Sequence, residues 1–155
     1  MPNRKIILAA VLAAACATPG VTQRANLAVT LTPLQVVPGP ADPDATGTAE
    51  IRVQPNQGQL CWNLYVRQTD PVTAVHIHRG AAGSVGPPVV PLITPGPDGH
   101  SQGCTAVDER LSRLISNQAH EYYVNVHTAA YPNGAVRGQL RGGPAPRQRL
   151  RPSGI

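Results

Sequence analysis

The chain has 155 residues, a formal net charge of +5, charged side chains at only 14%, aromatics at 3% and no Phe. That length holds one modest domain, and the low charge content excludes a disordered polyelectrolyte just as the lack of heptads excludes a coiled coil. The basic excess sits at the two ends, and residues 17–140 carry seven Arg against eight Asp and Glu, so no face of the domain is charged for nucleic acid.

The N-terminus reads as a secretory signal over residues 1–17. Arg4 and Lys5 precede an unbroken apolar run, Ile6 to Ala15, and small residues follow. Such a run is too short to span a bilayer, which takes about twenty residues. Ala15-Cys16-Ala17 fits the small-x-small pattern of ordinary signal peptidase. Leu12-Ala-Ala-Ala-Cys16 resembles a bacterial lipoprotein box, in which Cys16 becomes the lipidated first residue. Exported proteins pair or modify their thiols, and of three Cys, Cys61 and Cys104 can pair while Cys16 is left over. The count therefore favours lipidation of Cys16, although a Cys discarded with the leader satisfies it equally. The expectation is export to the periplasm or extracellular space, with membrane contact only through such an anchor. A Cys61–Cys104 bridge is worth about 4 kcal/mol in the chain-entropy model.

With 15 Gly and 17 Pro set among many Val and Thr, the remainder predicts short strands joined by turns. Residues 18–26 read as a polar linker. Ala28–Thr32 alternates as a first strand, the Pro-rich stretch 38–46 is a connection, and Thr48–Val53 is the next strand. Asn56-Gln-Gly58 turns the chain into Gln59–Val66, where Trp62, Leu64 and Val66 share a face. Val72–His78 follows, then a glycine-rich loop from Arg79 to Pro88. Val89–Ile93 reads as an edge strand because Pro91 lacks a ladder donor. Asp108 caps a short helix to about Asn117, with Leu111, Leu114 and Ile115 at helical spacing. Glu121–Thr128 is a strand, Tyr131–Gly134 a turn, and Ala135–Leu140 closes the fold. The basic tail 141–155 has no apolar period and is expected to be disordered. Together these elements predict an all-β, antiparallel, Greek-key-like β-sandwich with one short helix.

Val75-His76-Ile77-His78 puts two imidazoles on one strand face and two aliphatics on the other. Tyr123, Asn125 and His127 likewise share a face, opposite Tyr122, Val124 and Val126. If the aliphatic faces form the core, His76, His78 and His127 can converge on a polar surface. Imidazoles at i, i+2 stand about 7 Å apart along a strand, near enough to share one copper or zinc ion. The competing reading is a hydrogen-bonded cluster that fixes strand register, with Asn125 or Asn133 among its partners. His100 sits in a turn and is expected to be solvated; His120 is expected at the helix-to-strand connection.

His76-Ile-His-Arg-Gly80, Gly83-x-x-Gly86-Pro-x-Val-Val90, Tyr123-Val-Asn-Val-His-Thr128 and Pro132-Asn-Gly-x-x-Arg-Gly-Gln-Leu140, in that order, resemble the chordin-type CHRD domain over residues 27–140. The resemblance implies an extracellular sandwich, immunoglobulin-like or superoxide-dismutase-like, with no established enzyme activity. In it Asn125, Gly134, Arg137 and Gly138 belong to the structural motif. A fainter resemblance is to Cu,Zn superoxide dismutase, which implies His76, His78 and His127 as ligands and Arg137 as an anion guide. Against the latter stands a buried guanidinium bonded to loop carbonyls.

No acid–base pair or nucleophile set accompanies these motifs. The sequence thus points to an exported, non-catalytic binding or structural module that meets an extracellular protein or envelope component. The alternative is a copper- or zinc-binding sandwich built on the three histidines. A further reading makes the Arg-rich tail an electrostatic tether to an anionic surface.

Overall fold

Alternation of apolar and polar residues builds the first sheet. Strands β1 (Ala25–Leu31), β2 (Thr46–Gln54) and β3 (Gln59–Arg67) form an antiparallel meander. Leu27, Val29, Leu31, Ala49, Ile51, Val53, Leu60, Trp62, Leu64 and Val66 all point inward and are buried. The structure, a computed structural model, describes residues 24–142. The expected leader, Cys16, most of the linker and the tail beyond Gly142 lie outside the described residues.

The chain then crosses to a second sheet. β4 (Val72–Arg79) pairs with β5 (Pro88–Leu92), the predicted edge strand, which carries prolines at 88 and 91. β6 (His100–Ala106) returns to the first sheet beside β3. Helix α1 (Glu109–Asn117) leads through a 3-10 turn to β7 (Tyr122–Thr128), which lies beside β4. β8 (Val136–Gln139) pairs with β7, and the two residues of β9 (Arg141–Gly142) pair with β1. The orders are β6-β3-β2-β1-β9 and β5-β4-β7-β8. The non-consecutive neighbours β3/β6 and β4/β7 are Greek-key crossovers, as expected of the sandwich.

One side of the sandwich is stitched shut. Thr32 N donates to Arg137 O at 2.9 Å and Arg137 N to Thr32 O at 3.1 Å, joining the end of β1 to β8. Gly138 permits this approach, because a Cβ there would stand 2.3 Å from Thr30 O and 2.5 Å from Val29 Cγ1. Helix α1 begins as the sequence predicts, with the Asp108 carboxylate accepting from Leu111 N at 3.1 Å, and it buries Ile115.

β6 is a strand for which the sequence gives no signal, since its inward positions are Ser101, Gly103 and Thr105 and offer no apolar alternation. Two expectations need correction. The linker does not reach residue 26, because Ala25 and Asn26 already pair with Val53 and Arg52. The expected tail does not begin at residue 141, because Arg141 and Gly142 pair with Ala28 and Leu27. The Cys61–Cys104 disulfide is present and joins directly opposed residues of β3 and β6.

Candidate metal centre

The second sheet has two unlike faces. Val75, Ile77, Val124, Val126 and Val136 face the core, while His76, His78, Tyr123, Asn125, His127, Arg137 and Gln139 stand on the opposite face. Period-two geometry sends His76 and His78 to one side of β4. The β4/β7 register sets His76 opposite Asn125 and His78 opposite Tyr123, with a bulge between Val72 and Ala74 near His127.

The three histidines converge as the sequence allowed. Ring centroids are 5.6 Å apart for His76/His78, 5.4 Å for His76/His127 and 5.8 Å for His78/His127. One ligand atom from each ring lies within 4.8 Å of the others, and among the described residues no Asp, Glu or Cys joins this group. Imidazole nitrogens on a tetrahedral ion stand roughly 3.4 Å apart, so the trio would draw in by at most roughly 1.4 Å on one.

The hydrogen bonds define which nitrogens are free. His78 Nδ1 lies 2.8 Å from Gly86 O, and His127 Nδ1 lies 2.9 Å from Pro132 O. A carbonyl only accepts, so in each neutral ring Nδ1 carries the proton and Nε2 the lone pair. His78 Nε2, His127 Nε2 and His76 Nδ1 are all buried without a hydrogen-bond partner. Unpartnered buried polar atoms are rare, and these three lone pairs in one cluster are of a kind that could hold a shared cation. On His76 and His78 a proton is disfavoured. Burial pushes the His76 imidazole below its ordinary range, helped by the nearby His127. Burial does the same to His78, assisted by His127, His76 and Arg137 and outweighing its bond to Gly86.

Two loops hold the carbonyls in place. The loop after β4 is tied by Arg137, whose Nη1 donates to Ser84 O at 2.8 Å and Nη2 to Ala81 O at 3.0 Å. Gln139 Nε2 reaches Gly80 O at 2.8 Å, and Gly86 N donates to the Tyr123 hydroxyl at 3.1 Å. Gly86 itself admits no side chain, since a Cβ would sit 1.5 Å from Arg79 O. The turn after β7 is tied by Asn125, whose Nδ2 donates to Asn133 O at 2.9 Å. Gly134 accommodates this contact. Its φ is +138, and a Cβ there would stand 2.4 Å from Asn125 Oδ1. The histidines themselves sit in an open depression rimmed by Thr73, Ala74, Pro88, Ala129 and Pro132.

Arg137 is 1% exposed, with its guanidinium on loop carbonyls and 3.4 Å over the Tyr123 ring. It is a scaffold element in this geometry, and the anion-guide role is not what its contacts provide. His100 does not join the cluster; it opens β6, stacks on Tyr65 at 4.4 Å and bonds Asn63 Oδ1 at 2.8 Å. His120 lies in the 3-10 turn before β7, as expected, beside Glu121. The supporting roles that the sequence did not reveal are those of Tyr123, Gln139 and the main-chain oxygens of Gly86 and Pro132. Tyr123 and Gln139 stand in the sequence motifs, but nothing there shows what they hold.

The sequence profile of one family, described as the CHRD domain, matches residues 27–140. No curated protein and no solved structure matches the chain.

Proposed function

Because the chain belongs to the CHRD domain family, we propose that it is a non-catalytic binding module whose ligand is one copper or zinc ion. Family membership supports a binding or structural role without enzyme chemistry. His76, His78 and His127 are the proposed ligands, all neutral nitrogen donors of the kind these borderline ions accept. The observation that carries the reading is the trio of buried, unpartnered imidazole nitrogens, two of them with the tautomer fixed by a carbonyl on the opposite side of the ring. Carbonyls that take the distal N–H are the usual outer partners of metal-binding histidines. No acidic residue is needed for that task here.

The same proposal places the module outside the cytoplasm. The basic-apolar-small leader and the disulfide both suit an oxidising compartment. Lipidation at Cys16 would hold it at a membrane surface, where it would meet an envelope or extracellular partner.

The test is elemental analysis of the oxidised mature domain after exposure to copper and zinc and exhaustive dialysis. Wild type should retain about one ion per chain, and the His76→Ala/His78→Ala variant should retain none. No retained ion in the wild type would overturn the metal reading and leave the histidines as determinants of strand register. The superoxide-dismutase-like alternative would require, beyond retained copper, turnover of superoxide that disappears with His127→Ala.

A further inference from the structure

Beyond the ligands, a second tier of side chains decides whether His78 can serve as one. A neutral imidazole has a single N–H, and its position sets which nitrogen is left to bind an ion. For His78 that proton is held at Nδ1 by Gly86 O, an atom from a loop and not from the sheet. What fixes the carbonyl is Tyr123. Its hydroxyl accepts from Gly86 N at 3.1 Å and approaches Gly86 O at 3.4 Å, clasping both polar atoms of one residue. The Tyr123 ring also carries the His78 ring stacked on it at 4.9 Å and 14°. Arg137 in turn fixes both partners, lying over the Tyr123 ring and bonding Ser84 O and Ala81 O in the same loop.

We propose that Tyr123 and Arg137 are positioning residues that impose the Nδ1–H tautomer on His78 by holding the Gly86 carbonyl, so that Nε2 is presented as a metal donor. The proposal deepens the metal reading above and rests on it for its purpose, but the tautomer itself exists in the metal-free chain. The His127 proton goes instead to Pro132 O in the other loop, which Asn125 and not Tyr123 or Arg137 ties. That ring is therefore an internal control.

Tyr123→Phe is the sharpest perturbation, because it removes the hydroxyl and leaves both ring contacts. Nitrogen chemical shifts of the metal-free protein report each imidazole tautomer directly. Wild type is expected to show His78 and His127 both protonated at Nδ1. In Tyr123→Phe the His78 signal should move toward the Nε2–H form while that of His127 stays in place. Zinc affinity should fall about ten- to a hundredfold, the usual effect of losing an outer partner of a ligand. A shift in both rings would mean general loosening and would overturn the assignment, as would no shift in either. Should the variant not fold, the wild-type spectrum alone decides, since a His78 protonated at Nε2 overturns the proposal outright. A wild type that shows the Nδ1 tautomer, with the expected His78 shift in Tyr123→Phe, but binds no zinc sinks the metal reading while upholding control of the tautomer.

Discussion

Cutting the Cys61–Cys104 bridge should free one strand before it unfolds the domain. The bridge spans 43 residues of sequence, and in the chain-entropy model its loss costs about 4 kcal/mol through the unfolded state. For a domain of this size that corresponds to a drop in Tm on the order of 15 °C. The local consequence is more telling. β6 turns only Ser101, Gly103 and Thr105 toward the core, so hydrophobic burial contributes little to keeping it in place. Without the bridge it is held by its ladder to β3 and by a short chain of bonds. Trp62 Nε1 donates to Ser101 Oγ at 3.0 Å, and Ser101 Oγ donates to Ile93 O at 2.6 Å. Each such bond is worth about 1 kcal/mol net. β6 should then open at a cost of a few kcal/mol, below that of global unfolding. The Trp62 indole packs beneath Gly103, where a Cβ would come within 2.7 Å of Cζ2, and it is the sole Trp of the chain. Opening of β6 therefore exposes it. In Cys61→Ser/Cys104→Ser, hydrogen exchange should accelerate over residues 100–106 well beyond the other strands, with a red shift of Trp emission. Uniform acceleration of every strand, or protection of β6 unchanged beside an unshifted Trp62, would refute the reasoning.

Three further outcomes follow from particular contacts. Gly138→Ala should destabilise the fold by at least about 2 kcal/mol in urea titrations, because the new methyl meets backbone at Thr30 O and cannot be relieved by a rotamer change. Ser101→Ala should cost about 1–2 kcal/mol by the same measurement, leaving the buried Trp62 N–H without its acceptor. Acid should weaken the metal-free domain through the histidine cluster. Burial holds His76 and His78 below the ordinary 6.5, so the unfolded chain binds protons first, and their contribution to stability is whole above that value and lost as pH falls through it. Urea titrations at pH 7.5, 6 and 5 should show this decline, with a shallower one in His76→Ala/His78→Ala; an unchanged slope in that variant would refute the assignment.

Most of the sandwich was legible because its strands alternate. Leu60, Trp62, Leu64 and Val66 announce the inner face of β3, and Val75 with Ile77 that of β4. β6 gave no such signal: Ser101 and Gly103 are inward because Trp62 leaves no room for anything larger and needs a hydroxyl for its N–H. Its strand conformation comes from its neighbour. The two-residue β9 is likewise written in β1, which supplies the pairing partners. The histidine trio was visible one strand at a time, His76 and His78 by spacing and His127 by the face it shares with Tyr123 and Asn125. Their meeting was not visible, because β4 and β7 become neighbours only through a crossover that carries β5, β6 and α1 between them. The outer partners of the rings leave no mark in the sequence, since Gly86 O and Pro132 O are main-chain atoms with no residue type to betray them.

The energetics of Arg137 bear on the same site. A guanidinium buried to 1% exposure, with Ser84 O, Ala81 O and a Gln139 amide oxygen as its hydrogen-bond acceptors, has no carboxylate partner among the described residues and takes on a desolvation cost. Burial accordingly pulls its pKa below the ordinary arginine range, opposed only in part by Tyr123. An apolar side chain of similar volume would avoid that cost and serve stability as well or better. What an apolar residue could not do is fix two carbonyls of a glycine-containing loop at a defined distance from the sheet. The loop so fixed ends at Gly86, whose oxygen holds the His78 proton. A stability-only account thus has to treat the arginine as a liability. An account in which the outer face presents oriented imidazole lone pairs gives both the arginine and the tyrosine beneath it a task that only their functional groups perform.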